Sequence, residues 1–447
     1  MRTRRLNVVW MAASFLIATR LPAQTNHNFT VIQTADYARK NNVQVKNALL
    51  NLKVQEQINR GITSAALPNL SGSINVTDNL KIPTQLLPGE FFGQPTGSFV
   101  PVRFGTKYTA NAGLTLNQLL FDGQVFIGLQ ARRTSLEFQQ KNIEVTEETI
   151  KKNIHKIYYQ LVVAKKQIEL LDANIDRLTK LQYDTKEIYK NGFAEKLDVD
   201  KIEVQMANLQ TQKLSVLSSV DAGYLGLKTL MGMPLKDSLV LIDSITDNKL
   251  KDGMPEDEKY QYSDRKDFQY LSLAKSLREY NVRRYKLSYL PSLSFSANTS
   301  YSAQRTKFDL THKSGTWFPS TFISFRLNIP IFDGFAKAAS LQQARLELEQ
   351  SQNILENLKL VIDNDVEQAK LSYRNAIRTI DFQKKNMALA GQVYDQTKKK
   401  YEAGLGSNTE ITAAQTELVQ AQTNYINALY DAIIARVDFM AAVGKLP

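Results

Sequence analysis

The chain has 447 residues, no cysteine, 43% apolar and 22% charged residues, and a formal charge of +12. That composition excludes wholesale disorder, and without a thiol there is no disulfide, no cysteine-ligated metal site and no cysteine-borne lipid anchor. The positive charge is scattered among acids rather than gathered into a basic block, which argues against nucleic acid as a partner.

At the N-terminus, "RTRR" precedes the apolar run "LNVVWMAASFLIA" and then "TRLPA". This order reads as the n-region, h-region and cleavage site of an export signal over 1–23, cut after Ala23. The apolar run is too short to cross a bilayer. Cleavage removes Arg2, Arg4, Arg5 and Arg20 and no acid, so the charge falls from +12 to +8.

The mature chain contains itself twice. An offset of 212 carries Tyr189 onto Tyr401, Gly192 onto Gly404 and Gly232 onto Gly444. "LPNLSGSINVT" (67–77) matches "LPSLSFSANTS" (290–300), and "LTLNQLLFDG" (114–123) matches "FRLNIPIFDG" (325–334). Repeat 1 is expected over 24–232, with a helix, strands at 68–77 and 107–118, and a helical hairpin whose tip lies at 190–197. A charged connector containing Gly and Pro follows over 233–260. Repeat 2 is expected over 261–447, with strands at 291–301 and 320–331 and a tip at 402–409. The four-proline stretch 77–106 reads as a long surface loop, and 302–317 as its shorter counterpart.

The helices carry a heptad seam. Ile150, Ile154, Ile157, Leu161, Ala164, Ile168, Leu171, Ile175 and Leu178 step by four and three, and Ile202, Met206 and Leu209 begin a second seam. No proline falls between Gly123 and Gly192, so this run predicts a rod of ~100 Å. Gly334 to Gly404 is equally free of proline.

The four strands alternate. In the first, Leu70, Gly72, Ile74 and Val76 oppose Ser71, Ser73, Asn75 and Thr77; in the last, Ile323, Phe325, Leu327 and Ile329 oppose Ser324, Arg326 and Asn328. One apolar and one polar face at this length fits transmembrane β-strands. A soluble sheet with one buried face has the same pattern, but no layer is left over to cover it. Four strands cannot close a barrel in lipid, where ~8 is the minimum and an open edge is prohibitive. Three chains would supply twelve.

Local chemistry marks the boundaries. Asp122 and Asp333 are expected as N-caps where strand turns into helix, with Gly123 and Gly334 permitting the turn. Pro68 and Pro291 sit where the preceding helix must stop. Gly192 and Gly404 suit the left-handed position that ends a helix and reverses the chain.

In these residues the chain resembles the TolC-like outer membrane efflux protein family. The resemblance spans essentially the mature chain and rests on the duplicated element order, on "LPNL"/"LPSL", on the two "FDG" junctions, and on "NGF" and "AGL" each followed by an acid. It implies a mixed α/β membrane protein, internally duplicated: a long α-helical coiled-coil barrel, plus four strands per chain contributing to a trimeric twelve-stranded barrel in the outer membrane. It also implies a homotrimer in outer-membrane lipid that docks a periplasmic adaptor and an inner-membrane transporter. By the same resemblance, Asn191, Gly192, Phe193, Ala403, Gly404 and Leu405 form adaptor-docking tips. Asp198, Glu410, Tyr401 and its counterpart Tyr189 belong to the periplasmic entrance, Tyr401 matching a tyrosine that helps hold a closed state. Two positions depart from the pattern. Gly406 stands where an arginine would pair with the acid at Asp198, and Ala413 replaces a second acid. The residues also offer a plainer reading, since "SNTE" (407–410) can be a capping box and Asp198 lies in a first helical turn.

Catalysis is not expected. His27, His155 and His312 are not clustered, and no nucleophile elbow or phosphate-cradling loop is present. No cofactor or metal is called for. The remaining alternative to an exit duct is a periplasmic coiled-coil scaffold or tether, which accounts for the seams but not for the strands.

Overall fold

The structure is a computed structural model that describes residues 26–243, 260–309 and 316–447. The export segment expected at 1–23, the 244–259 part of the connector and the 310–315 part of the second loop lie outside them. Repeat 1 comprises β1 (Asn26–Phe29), α1 (Val31–Asn41), α2 (Val43–Ser64), β2 (Asn69–Asp78), β3 (Thr84–Pro88), β4 (Phe99–Arg103), β5 (Tyr108–Phe121), α3 (Gly123–Lys190) and α4 (Lys196–Met231). After β6 (Ser238–Leu241) come α5 (Lys266–Leu287), β7 (Ser292–Arg305), β8 (Phe318–Asn328), α6 (Ala336–Glu402) and α7 (Asn408–Ala442).

Both helices that precede a strand stop ahead of their proline, α2 at Ser64 before Pro68 and α5 at Leu287 before Pro291. The four long strands form one antiparallel sheet in the order β2–β5–β7–β8. Their bounds differ from expectation at the ends. β7 continues to Arg305, and β5 to Phe121 through a register shift between Leu119 and Phe121. β8 ends at Asn328, ahead of Pro330, which has no N–H to offer a ladder. The 77–106 stretch is not all loop. It folds into the β3–β4 ribbon, closed by a 3-10 turn at Gly89–Phe92. The prolines that mark it as loop sit at the ribbon's ends or at an edge, where a missing donor costs nothing.

The two strand–helix junctions are not alike. Asp122 is the N-cap of α3, its Oδ1 accepting from Gln124 N at 2.7 Å and Val125 N at 3.4 Å. Gly123 follows as the first helical residue without a left-handed backbone; a Cβ there would lie 2.8 Å from Leu287 Cβ, so the glycine lets α5 approach. At the second junction the expected cap is displaced. Phe335, at φ 68°, is the N-cap of α6 after Gly334 at φ 63°. Asp333 lies two residues before that cap, yet its Oδ2 accepts from Lys337 N at 3.0 Å. Two successive left-handed residues insert an extra turn there, which the glycine tolerates and the phenylalanine does so at a strain.

The helices form four rods. α4 packs on α3, α3 on α7 and α7 on α6, while α2 and α5 pack along the strand-proximal part of α3, and α5 also meets α6. α2 continues the line of α4, and α5 that of α7, through duplicated joints. Gly232 (φ 69°) ends α4 with its Cα against the Asn41 carbonyl, and Gly444 (φ 74°) lies against the Asp264 carbonyl. A Cβ at either site would meet backbone at 2.5 and 2.9 Å respectively, so both joints require glycine. Asn42 bridges the first joint, donating to Leu230 O at 2.6 Å. Between the joints and the tips, Leu171, Leu178, Ile202, Leu209, Ile411 and Leu418 share one core drawn from both hairpins.

A small parallel sheet, β1–β6, lies on this layer. Tyr158, in the middle of α3, holds it: its hydroxyl donates to Phe29 O at 2.9 Å and accepts from Asp243 N at 3.2 Å. The second repeat is tied down differently, by Tyr260 and Tyr262 hydroxyls donating to the two Asp363 oxygens at 2.7 and 3.1 Å. These bonds hold both phenols above their ordinary pKa, Tyr260 at about 12.

Candidate functional site

Two regions concentrate chemistry that could act on traffic, the sheet wall at one end of the rods and the helix reversals at the other. In the sheet, strand register aligns the alternation into rows. Leu70, Ile74 and Val76 fall opposite Leu116, Ala112 and Ala110, and Phe295 and Ala297 fall opposite Phe325 and Ile323. Away from the buried Ala110 this apolar face is bare, with Ile74 83% and Ile323 67% exposed. The other face is a continuous polar row, in which Asn298 Nδ2 donates to Thr115 Oγ1 at 2.8 Å and Ser296 Oγ to Asn117 Oδ1 at 2.9 Å. An apolar outside and a polar, internally bonded inside is the division a lipid-spanning wall needs.

At the far end the two reversals have the same backbone. Gly192 (φ 80°) and Gly404 (φ 73°) each lie one residue beyond the helix end, after Asn191 and Ala403. Phe193 N donates to Ile188 O at 3.0 Å and Leu405 N to Lys400 O at 2.9 Å, closing the last helical turn in each case. Asn191 and Ala403 are the residues at which the helices end. Phe193 and Leu405 then project outward, 85% and 79% exposed.

The entrance residues expected from the resemblance are brought close at one level, but not in one cluster. Asp198 accepts from Glu195 N at 3.3 Å through Oδ2, so this carboxylate serves its own helix start. Its carbonyl accepts from Asn408 Nδ2 at 2.9 Å, which ties the start of α4 to the start of α7. Ser407 caps α7 by accepting from Glu410 N at 3.2 Å. The reciprocal half of a capping box is missing, because the Glu410 carboxylate faces Lys400 Nζ at 3.7 Å instead. Tyr401 reaches Thr185 Oγ1 of α3, while Tyr189 is exposed. Gly406 packs on the end of α6, where a Cβ would come within 3.1 Å of Tyr401 N. That close approach gives a physical reason for glycine, not arginine, at this position.

Further along the rods from the tips lies a polar network that the helix pattern did not single out. Asn174 donates to Gln422 Oε1 at 2.6 Å and accepts from Gln415 Nε2 at 3.1 Å, all three side chains being buried. Nearer the joints, Asp438 on α7 sits between Lys152 and Lys156 of α3 at 2.9 and 2.8 Å. Burial opposes its charge, but the two ammonium groups win and hold the carboxyl below its ordinary pKa. Among the described residues no group of three or more His, Asp or Glu side chains could hold a metal, and no helix is long and apolar enough to cross a membrane.

Against known proteins, the profile of the family described as "Outer membrane efflux protein" matches residues 263–445, the second repeat. Outer membrane efflux protein BepC of Brucella suis biovar 1 is 19% identical over 441 residues, 97% of this chain and 90% of BepC. Proteases secretion protein PrtF of Dickeya chrysanthemi is 21% identical over 255 residues, and there the match spans about half of each protein, 55% of this chain and 53% of PrtF. Among solved structures, the CmeC outer membrane channel of Campylobacter jejuni superposes with a TM-score of 0.75 at 17% identity, covering 99% of this chain and 94% of CmeC.

Proposed function

We propose that the chain belongs to the outer membrane efflux protein family, whose profile matches its second repeat, and that it is one third of an exit duct that carries solutes from the periplasm through the outer membrane. The observation that carries this is the agreement of its open edges. The sheet is unpaired at β2 on one side and β8 on the other. The helical layer is likewise open along α2–α4 and along α6. The two helical edges carry uncovered apolar side chains, Val54, Ile58 and Leu214 on one and Leu360, Leu371 and Phe382 on the other. An edge of one kind that must meet an edge of the other is a heterologous contact, which closes into a ring when the rotation between copies closes. Three copies bring the sheet to twelve strands, above the ~8 needed to close in lipid, and the rods to twelve around the same axis.

The strands then lie in the outer membrane and the rods reach ~100 Å into the periplasm. The exposed Phe193 and Leu405 at the far tips are the surface for a periplasmic adaptor, through which an inner-membrane transporter delivers cargo. Polar walls suit water-soluble cargo, small molecules or proteins, and the role is conduction and not catalysis. A periplasmic scaffold would leave the apolar face of the sheet without a covering.

Mass measurement of the detergent-purified protein tests this directly, with a trimer expected. Carbonate washing of membranes should leave the chain in the pellet. A monodisperse monomer, or release by carbonate, would favour the scaffold.

A further inference from the structure

The described strands β2, β5, β7 and β8 hold three charged side chains. Asp78 and Arg305 both lie level with Tyr108, at the end of the sheet away from the helices. The third, Arg326, stands inside the wall. It pairs in register with Ser294, and its neighbours Phe325 and Leu327 pair with Phe295 and Leu293 on the apolar face. Arg326 therefore belongs to the polar row. A charged side chain is disfavoured on a lipid face; in a water-filled lumen the arginine keeps its charge, since a guanidinium does not deprotonate at any working pH.

Nothing in the wall neutralises it. The polar row of β7 runs through Ser294, Ser296 and Asn298, and that of β2, the strand a neighbouring copy would set against β8, through Ser71, Ser73 and Asn75. None is acidic, so the charge stands uncompensated whatever register the two copies adopt. The position is close to the helix end of the strand, two residues before Asn328.

Resting on the trimeric duct described above, we propose that the three copies of Arg326 form an anion-binding constriction at the inner end of the membrane barrel, selective for solutes that carry several phosphate or carboxylate groups. Twelve strands ~4.8 Å apart and tilted by ~40° enclose a backbone diameter of ~24 Å. Three arginines reaching inward narrow the space between guanidinium groups to ~10 Å, which equals the Debye length at ~0.1 M salt. Their fields merge at that ionic strength. Each planar fork binds carboxylate or phosphate through two parallel hydrogen bonds, which a lysine cannot do. A multivalent anion can engage two forks at once, whereas a monovalent ion passes. The constriction lies at the opposite end of the duct from Asp198 and Glu410, so its effect is separable from theirs.

The test uses the full-length trimer in planar bilayers, with tripolyphosphate added as the blocking anion. Wild type at ~0.1 M KCl should be blocked, and raising the salt to ~1 M, where the Debye length is ~3 Å, should relieve the block. In Arg326→Gln the blocking concentration should rise at least ~10-fold, the loss expected when charge-assisted hydrogen bonds go. The reversal potential in a KCl gradient should move toward cation preference. Arg326→Lys should keep the reversal potential and lose most of the block. Equal block in wild type and Arg326→Gln with an unmoved reversal potential overturns the constriction while leaving the duct intact. Should Arg326→Gln fail to assemble, a wild-type block insensitive to salt overturns it equally. A trimer that produces no conductance steps at all overturns the duct, and the constriction with it.

Discussion

The Tyr401 hydroxyl lies 3.1 Å from Oγ1 of Thr185, 216 residues away in sequence, and so joins the far ends of the two longest helices. Thr185 is fully buried, and loss of its partner leaves a hydroxyl with neither water nor protein to bond. Tyr401→Phe keeps the ring and removes the bond, at a cost of ~1–3 kcal/mol. If this contact holds the two hairpins together at the entrance, the variant should keep its thermal stability to within a few degrees yet show longer open dwells in single-channel records. Dwell times identical to wild type would reduce the pair to a packing contact.

The incomplete capping box at Glu410 sharpens a second expectation. The helix start depends on Ser407, and the Lys400–Glu410 pair is solvent-exposed, a class of ion pair worth ~0–1 kcal/mol. Glu410→Gln should therefore leave trimer stability nearly unchanged. If three copies of Glu410 ring the entrance of the proposed duct, their carboxylates concentrate cations there, and the variant should weaken cation preference and block by multivalent cations. Unaltered block would assign the carboxylate no part in conduction.

Asn174 should be far less tolerant. It serves Gln415 and Gln422 together, so Asn174→Leu strands two buried amides, each costing ~1–3 kcal/mol. The melting of detergent-purified trimers should show a drop of that order. Replacing all three residues by leucine should restore much of it, because removing every partner is cheaper than removing one.

His155 predicts a pH dependence. It is buried on α3, its Nε2 has no partner among the described residues, and burial together with Lys151 lowers its pKa from 6.5 to about 4 against a smaller upward pull from Asp243. The unfolded chain takes up the proton near pH 6.5 and the folded chain only near 4. Stability is thus full above the upper value and declines as pH falls toward the lower one. Melting points across this window should fall in wild type and change less in His155→Leu; parallel curves would remove His155 from the account.

The exposed tips give the last expectation. Phe193 and Leu405 bury little within the chain, so substituting Asp at both should leave heat-stable trimers while abolishing adaptor-dependent export. Loss of trimers would mean that they pack structurally.

Much of this architecture was legible before any coordinates. The offset of 212 exposed the duplication, and strict alternation located all four wall strands, since period two has no other source at that length. Both tips followed from glycine in the left-handed position. The rest depended on distance in sequence. β1 and β6 are four-residue strands without alternation, and only Tyr158 on α3 makes sense of them. Asn174, Gln415 and Gln422 look like parts of a solvated helix face because a heptad seam reveals one partner helix, whereas these helices have two. Phe335 took the cap position from Asp333 through two consecutive left-handed residues, which a phenylalanine does not advertise. Arg326 was visible as a polar-face residue, but its isolation emerged only with the register of its neighbours.

The unlike edges of each subunit carry a genetic consequence. A heterologous contact has no stopping point short of ring closure, so a copy damaged at one edge still offers the other and is incorporated. A single such copy breaks both the barrel and the tunnel of its ring. When sound and edge-damaged copies are made in equal amounts, only about one ring in eight is wholly sound if copies assort at random. Edge substitutions such as Leu371→Asp should therefore behave as dominant inhibitors of export, whereas a chain that fails to fold at all should be recessive.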